Sequence, residues 1–183
     1  MTTYVAFLRG IGPLNPNMRN PKLCSVFESL GFANVRAVMS TGNIIFDANS
    51  AVVPKLESDI EAAIERQLQF HSTTIIRSAS HLQHLLGMEP FKGFEHSAGT
   101  SLNVTFLKQQ PVTDLKFPHQ PTGKSFTILA LYDRDITSVT DLSGSRTPDL
   151  MLWLERTFGK DITTRTPGTL ASIVKQLATR QQN

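Results

Sequence analysis

The first 78 residues alternate between short apolar runs and longer segments in which apolar residues recur at helical spacing. Short apolar runs fit buried strands, whereas recurrence every three or four residues fits one face of a helix. The resulting order is strand, helix, strand, strand, helix, strand, which is the order of the ferredoxin-like fold. The predicted strands are Thr3–Arg9, Val35–Met39, Ile44–Asp47 and Thr73–Arg77.

Both helices of this segment carry start signals. Asn20 followed by Pro21 is typical of a helix N-terminus, and Gly31 is expected to end that helix. Pro54 begins the second helix, whose acidic and apolar side chains lie on different faces. One face of each helix is therefore expected to pack on the sheet. The apolar positions are Leu23, Val26, Phe27 and Leu30 in the first helix and Leu56, Ile60, Ala63, Ile64 and Leu68 in the second.

Residues 79–183 repeat this pattern less regularly. Gln109–Lys124 carries three prolines and is expected to form a long exposed loop. We predict an α+β fold of two ferredoxin-like subdomains, residues 1–78 and 79–183, with antiparallel sheets backed by helices in one compact unit. The second subdomain is irregular and adds a C-terminal helix. Its predicted strands are Leu102–Leu107, Phe126–Tyr132, Ile136–Val139 and Ile162–Arg165.

Three helices are expected in this second half. A short one spans Leu82–Gly87, and a second follows the capping segment Thr147-Pro148-Asp149 and ends at Gly159. Thr166-Pro167 begins the last helix. Residues 180–183 are polar and are expected to fray.

Composition narrows the class of protein. The chain has 183 residues, of which 40% are hydrophobic, and Cys24 is the only cysteine, so a disulfide framework is excluded. The N-terminus lacks a secretion signal, and every apolar run is far shorter than the roughly 20 residues of a membrane helix. We therefore expect a cytoplasmic protein without a membrane partner. The net charge is +3, and the Lys and Arg residues are scattered along the chain. This distribution permits nucleic-acid binding without arguing for it.

Two nucleotide-binding motifs are incomplete. Gly10-Ile11-Gly12 follows a strand, but a dinucleotide fingerprint needs a third glycine where Asn15 stands. Gly123-Lys124-Ser125 resembles the end of a phosphate-binding loop, but Pro118 occupies the place of its first glycine and a strand follows. The sequence therefore indicates no nucleotide cofactor.

Histidines and the cysteine give no strong metal or nucleophile pattern. His81 and His84 lie one helical turn apart, and Glu89 and His96 follow, but no second pair of cysteine or histidine ligands completes a zinc motif. We expect solvated histidines and no metal. Cys24 lies among apolar positions, which favours a core thiol over a nucleophile. No catalytic residue is identified.

Aromatic residues on the first and third strands raise the possibility of RNA binding. RNA-binding ferredoxin-like domains stack bases on aromatic side chains of these strands. Tyr4 and Phe7 stand on the first strand and Phe46 on the third, but strand alternation puts Tyr4 and Phe7 on opposite faces. Core packing is favoured for Phe7 and Phe46, with base stacking as the alternative.

Polar residues collect at the predicted strand ends. In the ferredoxin-like order, the end of the first strand at Arg9 lies near the start of the third at Asn43. If the last strand docks beside the first sheet, Arg9 and Arg165 flank one anion. Arginines and helix N-termini form anion sites, although turn and cap preferences also explain Asn, Ser and Thr here. The predicted anion-binding residues are Arg9, Asn15, Asn17, Arg19, Ser40, Thr41, Asn43, Thr164 and Arg165.

Three segments, taken in order, resemble one family. They are Val5–Ile11, then Leu30–Phe32 with Asn34–Arg36 and Ser40–Phe46, and finally Phe158-Gly159 with Thr163–Arg165 and the last helix. This combination is similar to DUF1697, a bacterial family of unknown function. The resemblance implies two ferredoxin-like subdomains and implies no activity. The chain departs from the family pattern at Ile11–Met18, where a glycine pair is common, and at Thr166-Pro167, where Asn-Trp is common.

The leading hypothesis is non-catalytic binding of a phosphate-bearing partner, either nucleic acid or a phosphorylated small molecule, at the polar cluster. One alternative is an enzyme acting on a small anionic metabolite, which needs a titrating His or Cys near Arg9. Another is a protein-interaction module that uses a sheet edge or the loop Gln109–Lys124. The sequence leaves the ligand and the oligomeric state open.

Overall fold

The computed structural model describes residues 1–12, 14–49, 52–144 and 149–180. Within these residues the chain forms eight strands, five α-helices and one 3-10 turn, Pro16–Met18. The strands are β1 (Thr2–Leu8), β2 (Ala33–Ala37), β3 (Asn43–Ala48), β4 (Thr74–Ser78), β5 (Thr100–Leu107), β6 (Phe126–Tyr132), β7 (Asp135–Asp141) and β8 (Ile162–Arg165). The helices are α1 (Asn20–Ser29), α2 (Val53–Leu68), α3 (Ala79–Gly87), α4 (Leu150–Phe158) and α5 (Pro167–Arg180).

The chain divides into two compact units. The first comprises Met1–Gln83 with the described residues from Ala171 onward, and the second comprises His84–Leu170. The start of α3 and the end of α5 thus group with the first sheet, whereas the sequence placed the boundary at residue 78. The predicted cap at Thr147-Pro148 and the polar tail after Arg180 lie outside the described residues.

The first unit holds a four-stranded antiparallel sheet in the order β2-β3-β1-β4. β1 is a central strand, paired with β3 from Thr2↔Ala48 to Phe7↔Asn43 and with β4 as far as Leu8↔Thr74. This is the ferredoxin-like order predicted from the sequence. The register confirms that the end of β1 lies beside the start of β3.

Alternation along β1 sends one set of side chains toward the helices. Tyr4, Ala6 and Leu8 belong to a core that also contains Phe27 of α1 and Phe46 of β3. The rings of Phe27 and Phe46 meet edge to face, with centroids 5.3 Å apart. Val5 and Phe7 on the opposite face of β1 are buried as well, which explains why the strand reads as a continuous apolar run.

The outer edge of β4 is closed by carboxylates of α2. The backbone N–H of Ile76 donates to Glu57 Oε1 at 2.9 Å, and that of Thr74 donates to Glu61 Oε1 at 2.7 Å. Exposed strand edges are sites of unwanted pairing, and these acceptors satisfy two of the edge donors. Glu57 is consequently buried, with 2% of its surface exposed.

The turn between β2 and β3 packs tightly on the end of β1. The Leu8 N–H donates to the Gly42 carbonyl at 2.8 Å, and Gly42 has a left-handed φ of 75°. Met39, before the turn, also has a positive φ of 61°. This reversal explains why β2 ends at Ala37 rather than at the predicted Met39.

The second unit repeats the strand order of the first. Its antiparallel sheet runs β6-β7-β5-β8, which matches β2-β3-β1-β4 strand for strand. Between β5 and β6, where the first unit has α1, the chain forms no helix among its described residues. The predicted long loop Gln109–Lys124 occupies that place, and it is tied to β6 by two hydrogen bonds of 2.8 Å between the backbones of His119 and Ile128. The unit is an incomplete ferredoxin-like half.

Helix α4 covers part of one face of the second sheet. Leu150 and Leu154 of α4 pack in a core with residues of β5, β6, β7 and β8. Trp153 lies against Phe158 and against the loop through His119, with the His119 and Trp153 rings stacked at 5.8 Å between centroids. The loop thus takes part in covering the core that the missing helix leaves open.

We expect Gly42→Ala to lower the free energy of unfolding by about 2–4 kcal/mol. A Cβ at Gly42 would lie 2.6 Å from Ile11 Cγ1 and 3.0 Å from the Leu8 carbonyl oxygen. Gly10→Ala is the matched control, because Gly10 has the same φ of 75° but a Cβ placed there would have no neighbouring atom within 4 Å. Urea unfolding of both variants separates the cost of a side chain at positive φ from the cost of the steric contact at Gly42. Equal losses of unfolding free energy in the two variants would contradict the packing argument.

We expect Glu57→Ala to lower the free energy of unfolding by about 1–3 kcal/mol, because the buried Ile76 N–H loses its acceptor. Hydrogen exchange should show faster exchange at the amide of Ile76. Glu65→Ala removes an exposed carboxylate from the same helix and serves as the control. Unchanged exchange at Ile76 would show that Glu57 does not close this edge.

Candidate functional site

Helix α1 begins beside a small cavity in the first unit. The cavity, here called the α1 cavity, has a volume of about 250 Å³ and is lined by Met18, Arg19, Asn20, Pro21 and Ser40. Arg19 precedes the helix and makes no side-chain hydrogen bond to its first turn. Since the first backbone N–H groups of a helix have no partner within it, this end carries partial positive charge.

The β2–β3 turn is held over the start of α1. The side-chain amide of Asn20 donates to the Met39 carbonyl at 2.8 Å. This bond brings Ser40 to the cavity that Arg19 lines, although the two residues are far apart in sequence. Both side chains are exposed. Two of the predicted anion-binding residues are therefore brought together.

The loop before α1 is fixed by its two asparagines. Asn15 accepts the backbone N–H of Asn17 at 2.9 Å through its side-chain oxygen and so caps the 3-10 turn. The Asn17 side chain donates to the Leu68 carbonyl at 3.2 Å and accepts a hydrogen bond from Lys22 Nζ at 2.7 Å. Their side chains position the loop, which agrees with the preference of asparagine for turns and caps.

Asn43 stabilises the hairpin formed by β2 and β3. It is fully buried, and its side-chain amide donates to the Val38 carbonyl at 3.1 Å and to Thr41 Oγ1 at 2.9 Å. The Val38 N–H returns a hydrogen bond to the Asn43 carbonyl at 2.8 Å. A fully buried amide cannot meet a ligand in solvent, so we leave Asn43 out of the binding surface, and Thr41 acts with it in the turn.

Arg9 follows β1 and is half-buried. Its backbone N–H donates to the Thr73 carbonyl at 2.9 Å, and its own carbonyl accepts the Ser72 hydroxyl at 2.7 Å. These bonds extend the pairing of β1 toward the residues before β4. Arg9 directly follows Leu8, whose N–H donates to the Gly42 carbonyl in the β2–β3 turn.

Thr164 and Arg165 belong to the second unit, at the end of β8. This strand pairs with β5 in the second sheet, so the expectation that the last strand docks beside the first sheet is wrong. The Thr164 hydroxyl lies 2.7 Å from Thr105 Oγ1, and the Arg165 guanidinium donates to Thr163 Oγ1 at 2.7 Å and to the Thr164 carbonyl at 2.9 Å. Burial lowers the pKa of Arg165 to about 10, so it stays charged at neutral pH. The next helix is capped by Thr166, whose Oγ1 accepts the Thr169 N–H.

A larger cavity in the first unit was not foreseen from the sequence. It has a volume of about 730 Å³ and is lined in part by Thr3, Asn34, Arg36 and Asp47. Asp47 accepts hydrogen bonds of 2.7 Å from the Thr3 hydroxyl and from the Asn34 side-chain amide. In the sequence, the available signal for this cavity was Asp47, a polar residue near the end of the otherwise buried strand β3. The Asp47 carboxylate gives the cavity mixed charge beside Arg36, which disfavours a simple anion.

The aromatic side chains considered for base stacking lie inside the first unit. Tyr4 is 4% exposed, and Phe7 and Phe46 are 0% exposed. Tyr4 and Phe46 pack against each other with ring centroids 5.8 Å apart. None of the three presents a ring face to solvent, so they stabilise the core.

Titratable groups are dispersed over the described residues. Among them, no group of three or more His, Cys, Asp or Glu side chains lies close enough to hold a metal ion. Burial raises the pKa of the Cys24 thiol, and the negative charge of Glu28 adds to this effect, although a hydrogen bond with the backbone of Ala37 opposes it. A raised pKa leaves little thiolate at neutral pH and disfavours a nucleophile.

No helix in the described ranges is long and apolar enough to span a membrane.

Two comparisons with known proteins bear on this chain. The family model DUF1697, described as a protein of unknown function, matches residues 1–124. The structure resembles that of the conserved bacterial protein SP0830 from Streptococcus pneumoniae, with a TM-score of 0.68 and 19% sequence identity over 96% of this chain and 98% of that chain. At this identity the likeness concerns the fold alone. No curated protein matches the sequence.

We expect Cys24 to react slowly with iodoacetamide in the folded protein. The raised pKa moves the onset of alkylation to a pH above that of an ordinary cysteine, because only the thiolate attacks. Alkylation followed by mass spectrometry over a pH series, with the urea-unfolded protein as the control, measures this shift. Equal pH profiles in the two states would contradict the burial argument.

Proposed function

Because the chain belongs to the DUF1697 family, whose description carries no activity, we propose from the geometry of the first unit that it binds a phosphate-bearing partner without chemical reaction. The proposed binding surface is the α1 cavity, with Arg19, Asn20 and Ser40 as its polar groups. The partner is a nucleic acid or a phosphorylated small molecule.

One observation carries this proposal. The start of α1 opens into a cavity that has an exposed arginine on one side and a serine hydroxyl on the other, and the cap residue leaves the first turn without a side-chain acceptor. Backbone N–H groups, a positive helix end and an arginine together are the usual components of a phosphate site. Pro21 in the first turn fixes the backbone of the helix start but contributes no N–H donor to it.

The charge around this cavity supports an anionic partner. None of the described residues that line it carries a carboxylate, and Lys22 adds a second positive charge in the first turn of α1. Lys22 donates to the Asn17 side chain at 2.7 Å, which holds its ammonium group near the loop. The chain as a whole carries a net charge of +3.

The burial of the aromatic residues limits how such a partner is recognised. Since Tyr4, Phe7 and Phe46 do not face solvent, base stacking on the first sheet adds nothing to affinity. Contacts to phosphate position a nucleic acid without reading its sequence. We therefore expect binding that depends on salt and little on base sequence.

Arg19→Ala is expected to weaken binding about three- to ten-fold and to reduce the salt dependence by about one phosphate contact. Fluorescence anisotropy with labelled single-stranded RNA and duplex DNA, at about 50 and about 200 mM salt, measures both quantities. Arg66→Ala is the matched control, because Arg66 is an exposed arginine in the last turn of α2 of the same unit and does not line the cavity.

A titration of the labelled protein with inorganic phosphate, followed by NMR, distinguishes the two kinds of partner. Shifts at the amides of Arg19 and Ser40 with phosphate alone, without RNA or DNA binding, would assign a phosphorylated small molecule. The absence of binding to RNA, DNA and phosphate at low salt would refute the proposal. Equal weakening in Arg19→Ala and Arg66→Ala would show that the attraction is not localised at the α1 cavity.

A further inference from the structure

A second cavity lies in the second unit, at the first turn of α4. This α4 cavity has a volume of about 430 Å³. Leu150, Met151 and Leu152 of α4 line it, together with Leu142 beyond β7. Leu142, Met151 and Leu152 are 40%, 36% and 46% exposed, so three large apolar side chains face solvent around one opening. Single exposed apolar residues need no explanation, but a group around a concave site indicates a ligand.

The sheet contributes a polar floor to this cavity. Ser101 and Thr140 stand directly opposite each other on β5 and β7, and both line it, as does Asn103 two residues further along β5. The Asn103 side-chain amide donates to the Ser101 hydroxyl at 3.2 Å. Thr164 of β8 also lines the cavity, and its hydroxyl donates to the Met151 sulfur at 3.0 Å.

Two hydroxyls of this sheet face lack hydrogen-bond partners. Thr140 is 3% exposed and Ser138 is 0% exposed, and neither hydroxyl oxygen has a partner within the described ranges. Both residues lie on the face of β7 that carries the α4 cavity, since side chains two apart on a strand share a face. A buried hydroxyl without a partner is unfavourable and is usually satisfied by water or a ligand.

The ion pair at the mouth of the α4 cavity favours neither an anion nor a cation. Asp149 lines the α4 cavity and is paired with the Lys124 ammonium group, which lowers the pKa of the carboxyl group. Because the carboxylate and the ammonium group offset each other, the pair adds no net charge that would attract an anion or a cation. The remaining lining groups are hydroxyl, amide and apolar side chains, which carry no net charge.

We propose that the α4 cavity binds an uncharged small molecule with an apolar body and a hydrogen-bonding hydroxyl or amide group. The apolar body lies against Leu150 and Leu152, and the polar group bonds the floor at Thr140. This site uses residues of the second unit only and is separate from the α1 cavity.

The test titrates the labelled protein with ring-sized probes and follows amide shifts by NMR. Benzyl alcohol and benzamide carry the proposed combination of groups, whereas benzoate and benzylamine add a negative or a positive charge. We expect the two uncharged probes to shift the amides of Thr140, Met151 and Leu152, and the two charged probes to bind at least five-fold more weakly. Absence of these shifts with either uncharged probe, or tighter binding of a charged one, would overturn the proposal.

Thr140→Val tests the polar floor with almost no change in shape. We expect about three- to ten-fold weaker binding of benzyl alcohol and benzamide, because the hydrogen-bonding hydroxyl is lost. Thr137→Val is the matched control: Thr137 is equally buried on the same strand and its hydroxyl is also without a described partner, but it lies on the opposite face. Both variants should raise the melting temperature of the free protein, and only Thr140→Val should weaken binding.

A substitution at the exposed rim of the α4 cavity provides a second test that does not depend on how the buried Thr140 substitution affects folding. Leu152→Ser shortens an exposed apolar side chain of the cavity wall and leaves the sheet untouched. We expect it to weaken the binding of both uncharged probes at least two-fold. Unchanged affinity in both Thr140→Val and Leu152→Ser would place the probes elsewhere and overturn the assignment.

Discussion

The pairing of β1 with β3 is the constraint on which the first unit depends. β1 is bonded on both sides, its even-numbered side chains build the core under the helices, and its last residue, Leu8, donates to Gly42. That contact holds the β2–β3 turn against the end of β1. The buried side chain of Asn43 stabilises the turn by donating to the Val38 carbonyl, and the Asn20 side chain connects the turn to α1 by donating to the Met39 carbonyl. The geometry of the α1 cavity follows from this chain of bonds.

The two units show how one strand order tolerates a missing element. The first sheet is backed by α1 and α2 between its strands, whereas the second has a proline-rich loop in place of its first helix. Packing around Trp153 recruits that loop to the core through His119. The same sheet face also carries the polar residues Ser101, Asn103 and Thr140, which line the α4 cavity.

The two proposed sites differ in the kind of chemistry they offer. The α1 cavity joins a positive helix end to an exposed arginine and suits an anion. The α4 cavity also lies at a helix start, but Asp149 places a carboxylate there, paired with Lys124, whereas the α1 cavity has no carboxylate among its lining residues. Burial raises the pKa of the Cys24 thiol, which disfavours it as a nucleophile. Both proposals therefore concern binding sites, one for a phosphate group and one for an uncharged molecule.

The sequence by itself determined the strands, the helices and their order, because the spacing of apolar residues and the Pro and Gly signals act locally. It identified Arg19 and Ser40 as polar candidates, and the known order of a ferredoxin-like sheet predicted that the end of β1 meets the start of β3. Only the tertiary structure decided which polar groups remain available. Asn43 is consumed by its own hairpin, whereas Thr140 is buried without a described partner. Whether a side chain binds a ligand or stabilises the fold depends on partners distant in sequence, and local patterns do not encode them.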